Sequence, residues 1–267
     1  MAITGAEVFA IGYEQDEQGR FLFPRDIERR KELFPQEVFN HPAKANMYLI
    51  EALVEYLTKE GDTILDPFGG TGTLLWATQM GRRVTLIEIE EHFHKLQKEI
   101  CRDWFGALWG DANEANIILG DCNHIMPVYC NHAIFSPPYA QALGKKSGLV
   151  GESIPDALDE LGKYSEHPQN MANLNTFLFG QSMRKVYKGL HASIPPGGMM
   201  AVIIKDITRG NERIFLSKDC IREATKAGFE MTEWFKWVPP GSVFTKIMKA
   251  KGANTIEDED IILFRRK

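Results

Sequence analysis

The sequence predicts an α/β fold: a doubly wound, mostly parallel sheet with helices on both faces. Two observations predict it. Short apolar runs at 63–65, 83–87, 115–119, 133–135 and 199–204 alternate with helical stretches at 71–80, 91–104, 176–191 and 215–227, and strands spaced by helices imply a parallel sheet. The chain then ends on two strand-like runs, 230–238 and 260–265, with a Gly/Lys-rich stretch and no helix between them. That pattern predicts an antiparallel closing pair. Ahead of the first strand, Met47, Leu49, Ile50, Leu53, Val54 and Leu57 recur at three- and four-residue steps, an amphipathic helix over 43–58 that Gly61 ends. Residues 1–40 read as an irregular N-terminal arm with one short helix. Residues 41–267 read as one domain, interrupted at 140–175 by a Gly-, Ser-, Pro- and Asn-rich insert whose only helical signal is a weak one at 156–161. An insert of that length after the fourth strand falls where open α/β sheets carry active-site loops.

Composition narrows the class. The 267 residues are 44% hydrophobic and 25% charged, ordinary for a folded globular chain. The apolar stretches reach five to seven residues, against the ~20 that span a bilayer. With no signal-like N-terminus either, the expectation is a cytoplasmic protein with no membrane contact. Thirty-one basic against 36 acidic side chains leave a net charge of −5, which excludes a basic nucleic-acid coat but not a local basic patch. The cysteines 101, 122, 130 and 220 show no C-x-x-C spacing and read as buried thiols. His92 and His94 lie two apart on a helix and face different ways. No metal site is expected.

Asp66-Pro67-Phe68-Gly69-Gly70-Thr71-Gly72-Thr73 follows a strand and opens a helix. Its glycines let the backbone turn tightly and approach a ligand. No Gly-Lys-Ser/Thr follows, so it is not a P-loop, and Leu75 stands where a third dinucleotide-loop glycine would be. Instead Asp66, at the strand end, is placed to pair with a cationic amino group. Glu88 ends the second strand 22 residues later, where nucleotide-binding sheets hold ribose hydroxyls. Asp121 ends the third and is placed to accept from an adenine amine. The alternative is that each acid caps the next helix; three acids at three consecutive strand ends beside a glycine loop favour a cofactor.

Ser136-Pro137-Pro138-Tyr139 closes the fourth strand. Two prolines stiffen the chain, the Ser136 oxygen and Pro137 carbonyl offer acceptors for both hydrogens of an –NH₂ group, and Tyr139 offers a ring to stack. Alkylating an exocyclic amine requires such a pocket, because its lone pair is delocalised and its nitrogen gains positive charge in the transition state. The other Pro-Pro pairs, Pro195-Pro196 and Pro239-Pro240, precede glycine and follow no Ser, Asp or Asn. They read as turns.

With both motifs present, the chain resembles the amino-group DNA methyltransferases that use S-adenosylmethionine. His41-Pro42-Ala43-Lys44 is similar to that family's additional cofactor-side motif. The resemblance covers about residues 40–139 and, by strand order alone, 196–265. It implies a seven-stranded, Rossmann-like sheet with an antiparallel last strand. It also implies that His41, Lys44, Asp66, Phe68, Gly69, Gly70, Thr71 and Gly72 serve the cofactor, with Glu88 at the ribose and Asp121 at the adenine. Ser136, Pro137 and Tyr139 would hold the amine of a base flipped from double-stranded DNA, and Pro138 would shape the turn. Serine in the first catalytic position is similar to enzymes making N4-methylcytosine, and aspartate to those making N6-methyladenine. The family's order of motifs implies a large recognition domain after the catalytic motif. Here recognition falls to a short insert, to a partner subunit or to loose reading. Adenine N6, an RNA or tRNA base, a small molecule and an idle binding subunit are the competing readings.

From Trp234 to Ile256 the chain holds Lys236, Lys246, Lys249 and Lys251 and no acid. This stretch and Lys145-Lys146 read either as solvated loops or as phosphate grips flanking the catalytic turn. On the second reading, replacing Lys246, Lys249 and Lys251 together with Ala should flatten the log-affinity versus log-salt slope for DNA by about two to three units. An unchanged slope in the folded triple variant returns the stretch to a solvated loop.

Overall fold

The computed structural model describes residues 12–40, 44–106, 114–138, 167, 169–209, 212–240 and 256–267. In chain order, a hairpin of β1 (Glu14–Gln15) and β2 (Phe21–Leu22) leads to α1 (Ile27–Leu33) and α2 (Met47–Leu57). The alternating part follows as β3 (Thr63–Asp66), β4 (Arg83–Glu88), α3 (Glu91–Glu99), β5 (Ala115–Leu119), the short α4 (Cys122–Ile125), β6 (His132–Phe135), α5 (Thr176–Ser193) and β7 (Met199–Ile204). A small hairpin of β8 (Ile207–Arg209) and β9 (Glu212–Ile214), then α6 (Leu216–Lys226), β10 (Phe229–Trp237) and β11 (Glu259–Arg266), complete it.

The sheet order is β1-β2-β10-β11-β7-β6-β3-β4-β5. β3 through β7 run parallel, and β11 inserts antiparallel between β7 and β10. The seven long strands are thus the expected doubly wound sheet with its last strand reversed. Three features depart from expectation. Among the described residues the sheet has nine strands, because the N-terminal segment supplies β1 and β2, and the second of these pairs with β10. The stretch over 71–80 is a 3₁₀ helix, Thr73–Met80, between left-handed Gly72 and Gly81; the Thr78 hydroxyl donates to the Leu75 carbonyl, competing with α-helical pairing. Likewise the α-helix predicted to 104 ends at Glu99 and continues as a π-type turn, Ile100–Phe105, stopped by Gly106.

Strand alternation assigns neighbours to opposite faces. Ile64, Ile134, Ala201, Ile203, Ile261 and Leu263 pack with α2, the 3₁₀ segment and α3. Leu65, Ala133, Phe135, Val202, Ile204, Ile262 and Phe264 pack with α5 and α6 on the other face. A strand buried on both sides needs a continuous apolar run rather than alternation, which is what Met199–Ile204 supplies. Asn46 caps α2 by accepting from the Tyr48 and Leu49 N–H groups, and Asn175 caps α5 through the Leu178 N–H.

The N-terminal segment is locked to this framework by Arg30, which is 1% exposed. Its guanidinium donates to Asp26 at 2.6 Å, to the Ala45 carbonyl at 2.8 Å and to the Thr73 hydroxyl at 3.0 Å. The same Asp26 carboxylate accepts from the Met47 N–H. Removing one member of a buried ion pair leaves the other desolvated. Arg30→Ala should therefore cost about 3 kcal/mol or more of unfolding free energy, measured by urea denaturation; a loss below about 1 kcal/mol would show that Arg30 does not hold the segment.

Candidate functional site

Because β3 to β7 are parallel, their carboxyl ends share one edge of the sheet. The chain leaves β3 towards β4 and β5 on one side, then returns to β6 and β7 on the other. Open sheets form a crevice at such a reversal. A cavity of about 650 Å³ lies there. The loop after β3 and the turn after β6 both open onto it, since β3 and β6 are hydrogen-bonded neighbours.

The glycine loop is held as backbone. Gly69 donates to the Ile87 carbonyl at 2.9 Å. The Gly70 N–H donates to Glu88 Oε2 at 2.6 Å, and the Gly70 carbonyl accepts from Gln97 Nε2 at 2.7 Å. A Cβ at Gly69 would stand 2.7 Å from Gln97 Nε2 and 3.2 Å from Leu86. At Gly72, φ is +78° and a Cβ would meet Leu75 at 2.9 Å. The φ at Gly72 demands glycine, whereas a side chain at Gly69 would displace the Gln97 amide from the loop. Asp66 Oδ1 accepts from the Phe68 N–H at 2.8 Å, which closes the turn entering the loop.

Of the residues singled out from the sequence, Lys44, Asp66, Phe68, Gly69, Gly70, Thr71, Glu88, Asp121, Ser136, Pro137 and Pro138 all line this cavity. Gly72 does not; it starts the 3₁₀ helix. His41, Tyr139, Lys145, Lys146, Lys246, Lys249 and Lys251 lie outside the described residues, as does the weak helix at 156–161. Asp121 does cap its helix, accepting from the Asn123 N–H at 2.8 Å, while also lining the cavity. Glu88 caps nothing: its second oxygen accepts from the Glu90 N–H at 2.8 Å. Pro239-Pro240 is more than the turn expected, since it lines the cavity next to Val238.

Electrostatics at the edge are dominated by burial, which disfavours charge. Burial, helped by the charge of Glu88 and opposed by the Phe68 N–H, pushes the Asp66 carboxyl up to about 8. Burial likewise raises Glu88 to about 7 against the pull of the Glu90 and Gly70 amides. Lys44 falls to about 8, through burial and then the charge of Arg30. The four cysteines are buried; burial pushes the thiols of Cys101, Cys130 and Cys220 up to about 12 and raises that of Cys122 further. None is a ready thiolate.

Three participants escaped the sequence reading. Gln97 sits between Phe93 and Ile100 on the buried face of its helix, and a glutamine at that spacing was the available signal. Glu90, 3% exposed, accepts from Asn170 Nδ2 at 2.8 Å and from the His167 N–H at 3.2 Å. It fastens the returning end of the 140–175 insert to the cavity wall, where Asn170 and Met171 also stand. No local pattern marks such a contact across 80 residues.

Comparisons with known proteins agree with this geometry. Residues 10–99 match a family described as DNA methylase, a span that holds Arg30, the glycine loop, Glu88 and Gln97 and ends before Ser136. Two curated proteins align over 60 residues: Type II methyltransferase M2.DpnII of Streptococcus pneumoniae at 42% identity and Type II methyltransferase M2.LlaDCHI of Lactococcus lactis subsp. cremoris at 38%. Each alignment spans 22% of this chain and 22% of the relative's length. Among solved structures, TrmN from Thermus thermophilus superposes with a TM-score of 0.53 at 16% identity, over 85% of this chain and 50% of that one. The glycopeptide N-methyltransferase MtfA gives 0.51 at 11%, over 85% and 93%, and the [4+2]-cyclase SpnF 0.53 at 13%, over 82% and 80%. At these identities the likeness establishes the fold; a cyclase among the neighbours shows that the reaction must be argued from the site.

The raised Asp66 has a measurable consequence. Between about pH 4 and about pH 8 the folded chain holds a proton that the unfolded chain has lost, so unfolding free energy falls as pH rises through that window. Asp66→Asn keeps an acceptor for the Phe68 N–H and cannot titrate. Urea unfolding at about pH 5 and about pH 8 should show a smaller loss in this variant than in the wild type. Equal losses would refute the burial of a protonated Asp66.

Proposed function

We propose, from the match of residues 10–99 to the DNA methylase family, that the chain transfers a methyl group from S-adenosylmethionine to the exocyclic amine of a flipped DNA base, cytosine N4. The observation that carries this reading is that the glycine loop after β3 and the Ser136-Pro137-Pro138 turn after β6 line one cavity.

The residues present fit the cofactor. A side chain at Gly69 or Gly72 would crowd the glycine backbone, Phe68 and Ile87 offer an apolar wall, and carboxyls stand at three strand ends. Asp66 is placed to pair with an amino group, Glu88 to meet ribose hydroxyls while bracing Gly70, and Asp121 to accept from an adenine amine. Lys44 joins the same wall, with His41 assigned beside it. When bound, S-adenosylmethionine supplies an electrophilic methyl on a positively charged sulfur. Ser136 and the Pro137 carbonyl accept the hydrogens of the target amine, favour its tetrahedral form and stabilise the positive charge developing on nitrogen. Pro138 holds the turn rigid, and Tyr139 is assigned to stack on the flipped ring. With buried high-pKa thiols, the chain's own residues favour direct transfer to nitrogen over a cysteine adduct. Lys145, Lys146, Lys246, Lys249 and Lys251 are assigned to phosphates, and the 140–175 insert, alone or with a partner subunit, to recognition.

Mass-spectrometric nucleoside analysis of DNA and RNA incubated with the protein and methyl-labelled S-adenosylmethionine tests this reading. N4-methylcytosine in DNA is the expected product. N6-methyladenine as sole product would overturn the serine argument, and label confined to RNA would overturn the DNA assignment. Ser136→Ala should lower turnover about 10²-fold or more while leaving S-adenosylmethionine affinity unchanged; a wild-type rate would remove Ser136 from the chemistry.

A further inference from the structure

Glu90 holds the capping position of α3, yet its side chain makes no hydrogen bond to that helix's first turn. Its carboxylate turns instead to a segment 80 residues further on. Oε1 accepts from Asn170 Nδ2 at 2.8 Å, and the His167 N–H donates to both oxygens at 3.2 Å. Glu90 and Asn170 are both buried. Helix starts favour Ser, Thr, Asp or Asn, whose short side chains reach their own first turn. A glutamate withdrawn from water at such a position, where burying charge is costly, is explained by the distant contact and not by capping.

Two chains of hydrogen bonds meet at Glu90. Towards the glycine loop, its N–H donates to Glu88 Oε1 at 2.8 Å, and Glu88 Oε2 accepts from the Gly70 N–H at 2.6 Å. On the other side, Asn170 Oδ1 accepts from the Ala172 N–H at 3.0 Å and so caps the short turn Met171–Asn173. Met171, at the start of that turn, is 7% exposed and packs in the core that holds Leu65, Ile87 and Cys122. It lines the cavity beside Gly120, Asp121 and Cys122. Its Sδ lies 3.9 Å from Asn123 Nδ2, and Asn123 is the residue whose N–H donates to Asp121. Met171 therefore stands at the strand end read above as the adenine end of the cavity.

Resting on the methyl-transfer reading above, we propose that Glu90 is a positioning residue for the cofactor: through Asn170 it sets Met171 as the apolar wall against which the adenine ring of S-adenosylmethionine lies. A methionine side chain has three rotatable bonds and adapts to what it touches, so its usefulness as a wall depends on where its backbone is fixed. Glu90 fixes it, by pinning the residue before Met171. The end of the 140–175 insert then belongs to the cofactor pocket, joined through Glu90 and Glu88 to the loop that holds the other side of the same ligand.

Calorimetry with S-adenosylmethionine, on a set of variants, tests this role. Asn170→Asp sets two carboxylates against each other and should weaken binding about tenfold. Adding Glu90→Gln supplies an amide N–H to the new carboxylate and keeps an oxygen for the His167 N–H, so the double variant should return to within about threefold of wild type. Met171→Ala should lose about tenfold on its own, but less than about threefold when added to Asn170→Asp, since residues acting through one contact are not additive. In turnover, Asn170→Asp should raise KM for S-adenosylmethionine while kcat at saturating cofactor stays within about threefold, the mark of lost binding and not of lost chemistry. A Glu90 that merely braced the fold would lower the urea midpoint of Asn170→Asp and leave affinity and KM unmoved, which overturns the proposal. Unchanged affinity in Met171→Ala, whose Glu90 contact is intact, overturns it even if Asn170→Asp does not fold. A wild type that binds S-adenosylmethionine with the expected variant pattern yet methylates no nucleic acid overturns the methyl-transfer reading and leaves the wall standing; a wild type that binds none overturns both.

Discussion

The grip on Gly70 is the constraint on which the site depends. Its N–H is taken by Glu88 and its carbonyl by Gln97, so one residue is clamped on both its flanking peptides between the end of β4 and the last turn of α3. Both gripping side chains are buried, and a buried polar group left unpaired costs on the order of 1–3 kcal/mol. The clamp therefore works in both directions: the loop satisfies Glu88 and Gln97, and they pin the loop. A side chain at Gly69 would push against the Gln97 amide, and Gly72 holds a φ of +78° that favours glycine. Asp66, Phe68 and Thr71 inherit their positions from this backbone, whatever binds beside them.

Parallel pairing supplies the second layer of organisation. Chemistry-bearing segments some 60 residues or more apart in sequence meet because β3 and β6 are adjacent and point the same way. Alternation then sorts what each strand end offers. The face that buries Ile64, Ile134, Ile203 and Ile261 in one core carries Asp66, Ser136, Lys205 and Glu259 at its open edge. An apolar core running directly into a polar row gives a cavity with a dry floor and a charged rim, where hydrogen bonds gain strength from the lowered dielectric.

The strand-end acids show that capping and ligand contact are not exclusive. Asp121 caps α4 with one oxygen and lines the cavity. Glu88 spends both oxygens on backbone amides and still faces the same space. Asp66 closes only the turn to Phe68, and its carboxyl is raised further than that of Glu88. The N-terminal segment joins this edge through Arg30, whose contacts to Asp26, Ala45 and Thr73 tie the hairpin and α1 to the residues flanking the glycine loop. What reads in sequence as an arm is in structure part of the framework.

Local chemistry was sufficient for much of this molecule. The apolar runs marked the strands nearly to the residue, because a strand covered on both faces must be apolar throughout. The glycine loop and the Ser-Pro-Pro turn were legible because their backbone demands are met within a few residues. Tertiary structure decided the rest. The pairing of β2 with β10, the Glu90–Asn170 contact, and the burial of Arg30 against Thr73 and of Gln97 against Gly70 all depend on partners 27 or more residues away. A sequence window records propensity and spacing, whereas a buried charge or a register between distant strands is selected only when the whole sheet has closed and withdrawn its edge from water.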